Sequence, residues 1–292
     1  MRKIQIAVIA FFVLSLVALG GFKIWSNLDK DETKPVIECT ENSIKVSVKE
    51  GEKALFEGLT AHDDVDGDLT QSIRISSISH FAEQGKRTVE YVVFDSSNNF
   101  ATCRRTVQYT DYESPRIYLD APLRISLSEL DMIDTTSFMR VEDVLDGDIS
   151  NKIRLSFDNN VYIQQPGFYN VTAQVSNSAG DTVSLPLEMN IIDSGSSEEN
   201  QKYYPTLSDY VIYVKVNEAI NLKTYLTGVM RGTQQYEFAD DQSSSVLNIT
   251  RDDISIASHV DFSTPGTYTV DYSYTSPSGA MGVTKMVVVV EE

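Results

Sequence analysis

Carboxylates at alternate positions form the densest cluster of chemically capable side chains in this chain. In His62-Asp63-Asp64-Val65-Asp66-Gly67-Asp68, the side chains of Asp64, Asp66 and Asp68 follow the spacing of the first three ligands of a calcium loop, and Gly67 allows a sharp turn. Such all-oxygen sets suit hard divalent cations. The match to a helix-loop-helix calcium site is incomplete, because Gly precedes the third Asp and the twelfth position is Ile75 rather than Glu. A reading without metal is simpler: the Asp side chains accept backbone N–H groups, and Arg74 neutralises one of them. Calcium at Asp64, Asp66 and Asp68 is the alternative. A second acidic loop carries Asp143, Asp146 and Asp148, with Arg154 in the place of Arg74.

Other chemistry is sparse. His62, His80 and His259 lie in separate contexts, and the chain has no His-x-x-x-His, Gly-x-Ser-x-Gly or Gly-rich phosphate loop. The expectation is a protein that is not an enzyme and needs no organic cofactor. Tyrosine is abundant, 15 residues against one Trp. Tyr91, Tyr169, Tyr268 and Tyr272 fall in strand-like segments and read as packing, and packing is also the simpler reading of Tyr203, Tyr204, Tyr210, Tyr213, Tyr225 and Tyr236. The alternative for that second group is a sugar-stacking face. With 42 acidic and 24 basic residues the net charge is −18, so the surface repels nucleic acid and anionic lipid.

The elements that hold the acidic loop are repeated. Val65-Asp66-Gly67-Asp68-Leu69-Thr70-Gln71-Ser72-Ile73-Arg74-Ile75 returns 80 residues later as Leu145-Asp146-Gly147-Asp148-Ile149-Ser150-Asn151-Lys152-Ile153-Arg154-Leu155. A period this long is a whole small domain. Around it recur an opening Pro (Pro35, Pro115, Pro205), a turn Gly (Gly85, Gly167, Gly266) and a polar hairpin (95–98, 177–180, 276–279). Segments such as Ile44–Val48, Thr88–Phe94, Gly167–Val175 and Thr264–Tyr274 carry the alternation or β-branched content of strands. In the first hairpin Asn98 takes the slot of Gly180 and Gly279, as the residue after Gly that best tolerates a left-handed backbone. Pro186, inside the last strand of the second repeat, marks an edge or a bulge. A helical turn within Glu129–Phe138, capped by Ser126 or Ser128, is the one helical feature expected outside the N-terminus.

This organisation predicts an all-β chain of three tandem immunoglobulin-like β-sandwiches behind an N-terminal transmembrane helix. Residues 1–25 form the cytoplasmic tip and anchor, 26–33 a linker, 34–111 module one, 112–193 module two, 194–202 a flexible linker without apolar residues, and 203–292 a divergent module three. Module three carries about nine extra residues, which fall in the polar stretch 228–246. The anchor rests on Arg2 and Lys3 followed by an apolar run from Ile4 through Phe22, near the roughly 20 residues that span a bilayer. Ala18-Leu19-Gly20 also fits a cleavage site, which would release a secreted form. In the anchored form the N-terminus is cytoplasmic and the modules are extracellular.

The Pro-x-Ile opening, the Asp-Gly-Asp-Leu/Ile-Thr/Ser loop, the Pro-Gly-x-Tyr-x-Val strand of modules two and three, and the hairpin ending in Asn or Gly together resemble the bacterial surface immunoglobulin-like domain. That module also occurs in tandem in insecticidal crystal proteins and many Gram-positive exported proteins. Modules one and two match over nearly their whole length, with Gln84-Gly85 in place of Pro-Gly in module one; module three has Leu247-Asn248-Ile249-Thr250 in place of the acidic loop. The resemblance implies a seven-stranded sandwich serving as spacer, stalk or adhesion module. In such a sandwich the first and last strands can lie side by side, which would bring Cys39 and Cys103 together across one rung. An oxidising compartment makes a disulfide the default, and two buried thiols are the alternative. The function expected is a membrane-anchored array that displays three modules as a spacer or protein-binding surface. The alternatives are a cell-wall or glycan-binding protein with its ligand face on module three, and an accessory subunit of an envelope or secretion complex.

Overall fold

The computed structural model describes residues 2–28, 31–157, 163–241 and 247–292, with side chains of the first segment described over 8–21. Module one contains β1 (Val36–Cys39), β2 (Ser43–Val46), β3 (Leu59–Asp63), β4 (Gly67–Asp68), β5 (Arg74–Ile78), β6 (Lys86–Phe94) and β7 (Phe100–Tyr109). One sheet runs β1-β3-β4 and the other β2-β7-β6-β5. Module two repeats the path with β8 (Arg116–Leu119), β9 (Arg124–Ser126), β10 (Met139–Asp143), β11 (Gly147–Asp148), β12 (Arg154–Phe157), β13 (Gly167–Ser176) and β14 (Thr182–Ile192). Module three does so with β15 (Tyr204–Leu207), β16 (Val211–Lys215), β17 (Leu226–Arg231), β18 (Gln234–Tyr236), β19 (Ser255–Ser258), β20 (Gly266–Thr275) and β21 (Met281–Glu291). The strand order is the same in all three, and β2, β9 and β16 each pair parallel to the closing strand of their module.

Period-two patterning places the core. In β6 the side chains of Val89, Tyr91 and Val93 are fully buried, while their neighbours face outward. The β6–β7 hairpin turns at Asn98 with φ 68°, matching Gly180 at 80° and Gly279 at 86°. Pro186 faces Thr172 of β13, and β9 covers β14 only at Asn190–Ile192, so this proline sits on a locally open edge. The short helical turn in module two is a 3-10 turn at Thr135–Phe138, capped by Asp134 rather than by Ser126 or Ser128, because the Asp134 carboxylate accepts Thr136 N–H at 3.0 Å.

The chain divides into two compact units, Met1–Asp111 and Tyr112–Glu292. Modules two and three therefore act together, and their buried side chains form one hydrophobic cluster. The Tyr213 hydroxyl accepts from Ile117 N–H at 2.8 Å and donates to Ile117 C=O at 3.0 Å, locking β16 to β8. Arg116 pairs with Glu291 at 2.6 Å, Lys285 with Glu188 at 2.7 Å, and the Arg124 guanidinium lies 3.9 Å from the centre of the Tyr204 ring.

The segment expected to be a flexible linker, 194–202, is part of this unit and not a loose tether. Buried Glu199 accepts from the Tyr204 hydroxyl at 2.5 Å and pairs with Lys202 at 3.1 Å, Ser194 bonds Ser126 at 2.8 Å, and Asn200 C=O accepts from Arg231 at 2.7 Å. Polar side chains hold the segment, a form of order that a count of apolar residues does not register.

At the N-terminus, α1 spans Arg2–Leu28. Its apolar side chains from Val8 to Leu19 stand 52–77% exposed wherever they are large, without partners to bury them. Among the described residues no helix is long and apolar enough to cross a membrane. The side chains of 1–7 and 22–25, which complete the apolar run and its basic flanks, lie outside the described residues.

Candidate functional site: the acidic loops and their carboxylate cradle

The two acidic loops are built alike. In each, an Asp that ends a strand braces the turn after it. Asp63 Oδ1 accepts Val65 N–H at 2.9 Å and Asp66 N–H at 3.0 Å, and Asp143 Oδ1 accepts Leu145 N–H at 2.9 Å and Asp146 N–H at 2.7 Å. Gly67 and Gly147 then adopt φ 76° and 73°, a backbone that strains any residue with a Cβ. Asp66 fastens the loop to the closing hairpin by accepting Ser96 N–H at 2.6 Å, and Asp146 accepts Ser178 N–H at 2.7 Å. Asp68 and Asp148 each accept the N–H two residues on, at 2.9 Å, an Asx turn that leads into the 3-10 turn after it.

Hydrogen bonds from Thr70 hold Asp68 below the usual carboxylate range, and those from Ser150 do the same for Asp148. Burial pushes Asp146 up, but hydrogen bonds from Ser178 and the Lys152 charge outweigh it and leave the group lowered. The backbone-satisfied reading of the loop therefore describes Asp66 and Asp68. Its cation does not: Arg74 donates to the carbonyls of Gln71 at 2.9 Å and Ile73 at 2.8 Å rather than to a carboxylate. In module two the paired cation is Lys152, 3.2 Å from Asp146, and not Arg154.

Asp64, Asp66 and Asp68 do not converge. Asp64 and Asp68 are exposed, and Asp66 is committed to Ser96. Among the described residues, the ligand-type atoms that gather within 4.8 Å of one another belong to Asp31, Asp63 and Asp95. Asp63 and Asp95 are 2% and 7% exposed. Sequence spacing missed this set because its members come from three separate segments: the lead-in to β1, the end of β3 and the β6–β7 hairpin. The alternation that singled out Asp64 skipped Asp63, which is the inward residue of β3.

Cys39 and Cys103 are joined in a disulfide with Cα atoms 6.8 Å apart. The bridge links the two sheets and is not a rung between paired strands, since β1 pairs with β3 while β7 pairs with β2 and β6. Of the module-three tyrosines, Tyr204 and Tyr210 are buried, and Tyr213 is taken up by module two. Tyr203 meets Tyr236 at 6.3 Å and Tyr274 at 6.0 Å, with Arg231 5.4 Å from its ring centre.

The HYR domain family model matches residues 30–109, which is module one with its lead-in. The chain is 26% identical over 172 residues to pesticidal crystal protein Cry22Aa of Bacillus thuringiensis, a match that takes in 58% of this chain and 23% of the crystal protein. Among solved structures, similarity extends to the CBM51-2 and INT domains of Clostridium perfringens ZmpB, the former in complex with GlcNAc, at 20% identity and TM-score 0.23 over 52% of this chain and 26% of that one. It extends also to mouse cadherin-23 EC22-24, at 12% identity and TM-score 0.19 over 89% and 99%. Scores this low assign neither ligand nor assembly. The fold is three tandem immunoglobulin-like β-sandwiches, two of which carry the acidic loop. Module one is the one the HYR family model matches, and the likeness to a crystal protein agrees with the resemblance carried by the repeated loops.

Proposed function

We propose that this chain is an exported surface protein in which immunoglobulin-like modules serve as a spacer and protein-binding array, held at the membrane by α1. The observation that carries the reading is one seven-stranded topology built three times, with modules two and three sharing a core and so forming a stiff double module. The Cys39–Cys103 disulfide supports a location outside the reducing cytoplasm. The solvent-facing Phe11, Leu14 and Val17 of α1 support burial of that helix in lipid. Full-length protein in membrane fractions is expected to resist carbonate extraction and to retain its N-terminal segment. Recovery of a soluble chain beginning at or near Gly21 would leave the array secreted and remove the anchor from the account.

A second reading follows from the Tyr203, Tyr236 and Tyr274 group with Arg231 on module three, which offers aromatic edges and a cation to a surface glycan. Binding of the full chain to a glycan array, lost in Tyr203→Ala, would favour this reading over protein display.

A further inference from the structure

We infer that module one holds a hard divalent cation, calcium by preference, between Asp31, Asp63 and Asp95. Each carboxylate already uses one oxygen to fix a turn. Asp31 Oδ1 accepts Thr33 N–H at 2.8 Å, Asp63 Oδ1 accepts the two loop amides, and Asp95 Oδ1 accepts Ser97 N–H at 2.9 Å and Asn99 N–H at 2.8 Å, while Asp95 Oδ2 accepts from Asn99 Nδ2 at 2.7 Å and keeps a lone pair for an ion. The side chains are thereby oriented before any ligand arrives. Oδ2 of Asp31 and Oδ2 of Asp63 are left buried without a hydrogen-bond donor, although the Asp63 side chain is almost wholly shielded from water. A buried carboxylate oxygen with no partner is costly, and a cation in the cradle removes that cost.

Module two shows how the same cradle closes without one. Asp143 keeps the place of Asp63, but Asn177 replaces Asp95, and its amide donates to Asp143 Oδ2 at 3.0 Å and to the Tyr112 hydroxyl at 2.8 Å. Asp181, in the place of Asn99, accepts from Tyr112 at 2.6 Å and Ser114 at 2.7 Å. Hydrogen-bond donors thus stand in module two where module one gathers a third carboxylate. In module three the hairpin position is Ser276, bonded to Ser278 at 2.8 Å, and the acidic set is absent from its loop.

The donor set chooses the ion. It contains oxygen only, and its atoms lie within 4.8 Å of one another, no more than twice a calcium–oxygen bond of about 2.4 Å. Magnesium demands a stricter octahedron at about 2.0–2.1 Å and gives up its waters reluctantly, so three carboxylates from separate segments suit the more adaptable coordination of calcium. The ion would have a mechanical consequence. Asp31 lies just past the end of α1 at Leu28, and its carbonyl already accepts from Asn99 Nδ2 at 3.1 Å, so calcium would clamp the lead-in onto two loops of the sandwich.

The test is calorimetric titration of calcium chloride into the chelator-treated full-length chain in detergent, followed by melting curves. One calcium per chain is expected to bind with Kd of about 0.1–1 mM, in the range of extracellular modules. The melting temperature of the first unit should rise by about 5 °C or more at tenfold excess over Kd. Asp63→Asn and Asp95→Asn should weaken binding at least tenfold, as should Asp31→Asn, which lies outside every strand and keeps the test valid if a core variant misfolds. Asp64→Asn and Asp143→Asn should bind as the parent does. No calcium binding up to 10 mM, or undiminished binding in Asp31→Asn and Asp95→Asn, overturns the site; magnesium binding of equal strength overturns the preference for calcium.

Discussion

Replacing Cys39 and Cys103 together by Ala is expected to lower the melting transition of the first unit steeply and to leave the second unit unchanged. The bridge closes a separation of 64 residues, and releasing a loop of that size costs about 4 kcal/mol as an upper figure in the chain-entropy model. In a domain of this size each kcal/mol moves the melting temperature by about 4–8 °C. The effect should stay in the first unit because Tyr112–Glu292 is a compact unit of its own with its own hydrophobic cluster. Differential scanning calorimetry of the full chain reads both units at once. A loss shared equally by both transitions would mean that the units do not unfold separately, and a loss of only a degree or two would mean that the sheets are held mainly by packing.

The second large effect is expected at Arg105. This side chain is 2% exposed in β7, where a sandwich core takes an apolar residue. Its guanidinium donates to the carbonyls of Leu55 and Glu57 and to the Tyr91 hydroxyl at 3.2 Å, and it lies 5.2 Å from the Tyr91 ring centre. Tyr91 in turn donates to Leu55 C=O at 2.5 Å. Burial raises the Tyr91 hydroxyl above its ordinary pKa, against the opposing pull of Arg105, so the phenol stays a donor. Arg105→Met keeps the volume but strands the Glu57 carbonyl and leaves Leu55 C=O with Tyr91 as its donor, and should cost about 1–3 kcal/mol by the penalty for an unpaired buried group. Arg105→Lys should recover less than half, because a single ammonium cannot reproduce the planar fork. Urea unfolding monitored at the first transition measures both. A midpoint for Arg105→Met within error of the parent would show that the freed carbonyl finds another donor.

What the sequence disclosed was the repeated architecture: the opening prolines, the Asp-Gly-Asp turns and the closing hairpins each fall where the strands require them, and Asn98 adopts the left-handed backbone that its alignment with Gly180 implied. Contacts between distant segments were not legible. The polar run 194–202 looked unstructured because its order comes from Glu199, Lys202 and Asn200 meeting partners that local patterning does not show. The pairing of modules two and three rests on Tyr213 reaching Ile117, nearly a hundred residues away. Asp31 joins Asp63 and Asp95 only once the chain has folded, so the alternating spacing singled out Asp64, Asp66 and Asp68 while the carboxylates that gather in space come from three separate segments. Arg105 gave no warning at all, since a single basic residue in a strand reads as solvent-facing. In the stretch 228–246, where module three was expected to carry its extra residues, 228–231 end β17 and Gln234–Tyr236 form β18, the counterpart of β4 and β11, while 242–246 lie outside the described residues.

The central claim, that the modules stand outside the cytoplasm, is tested most directly by labelling intact producing cells with a membrane-impermeant amine reagent and mapping the modified peptides by mass spectrometry. Lys53 of module one and Lys152 of module two are both exposed and should be labelled without lysis, while a cytoplasmic marker stays unmodified. Labelling of these lysines only after the cells are broken would place the array inside and contradict the account.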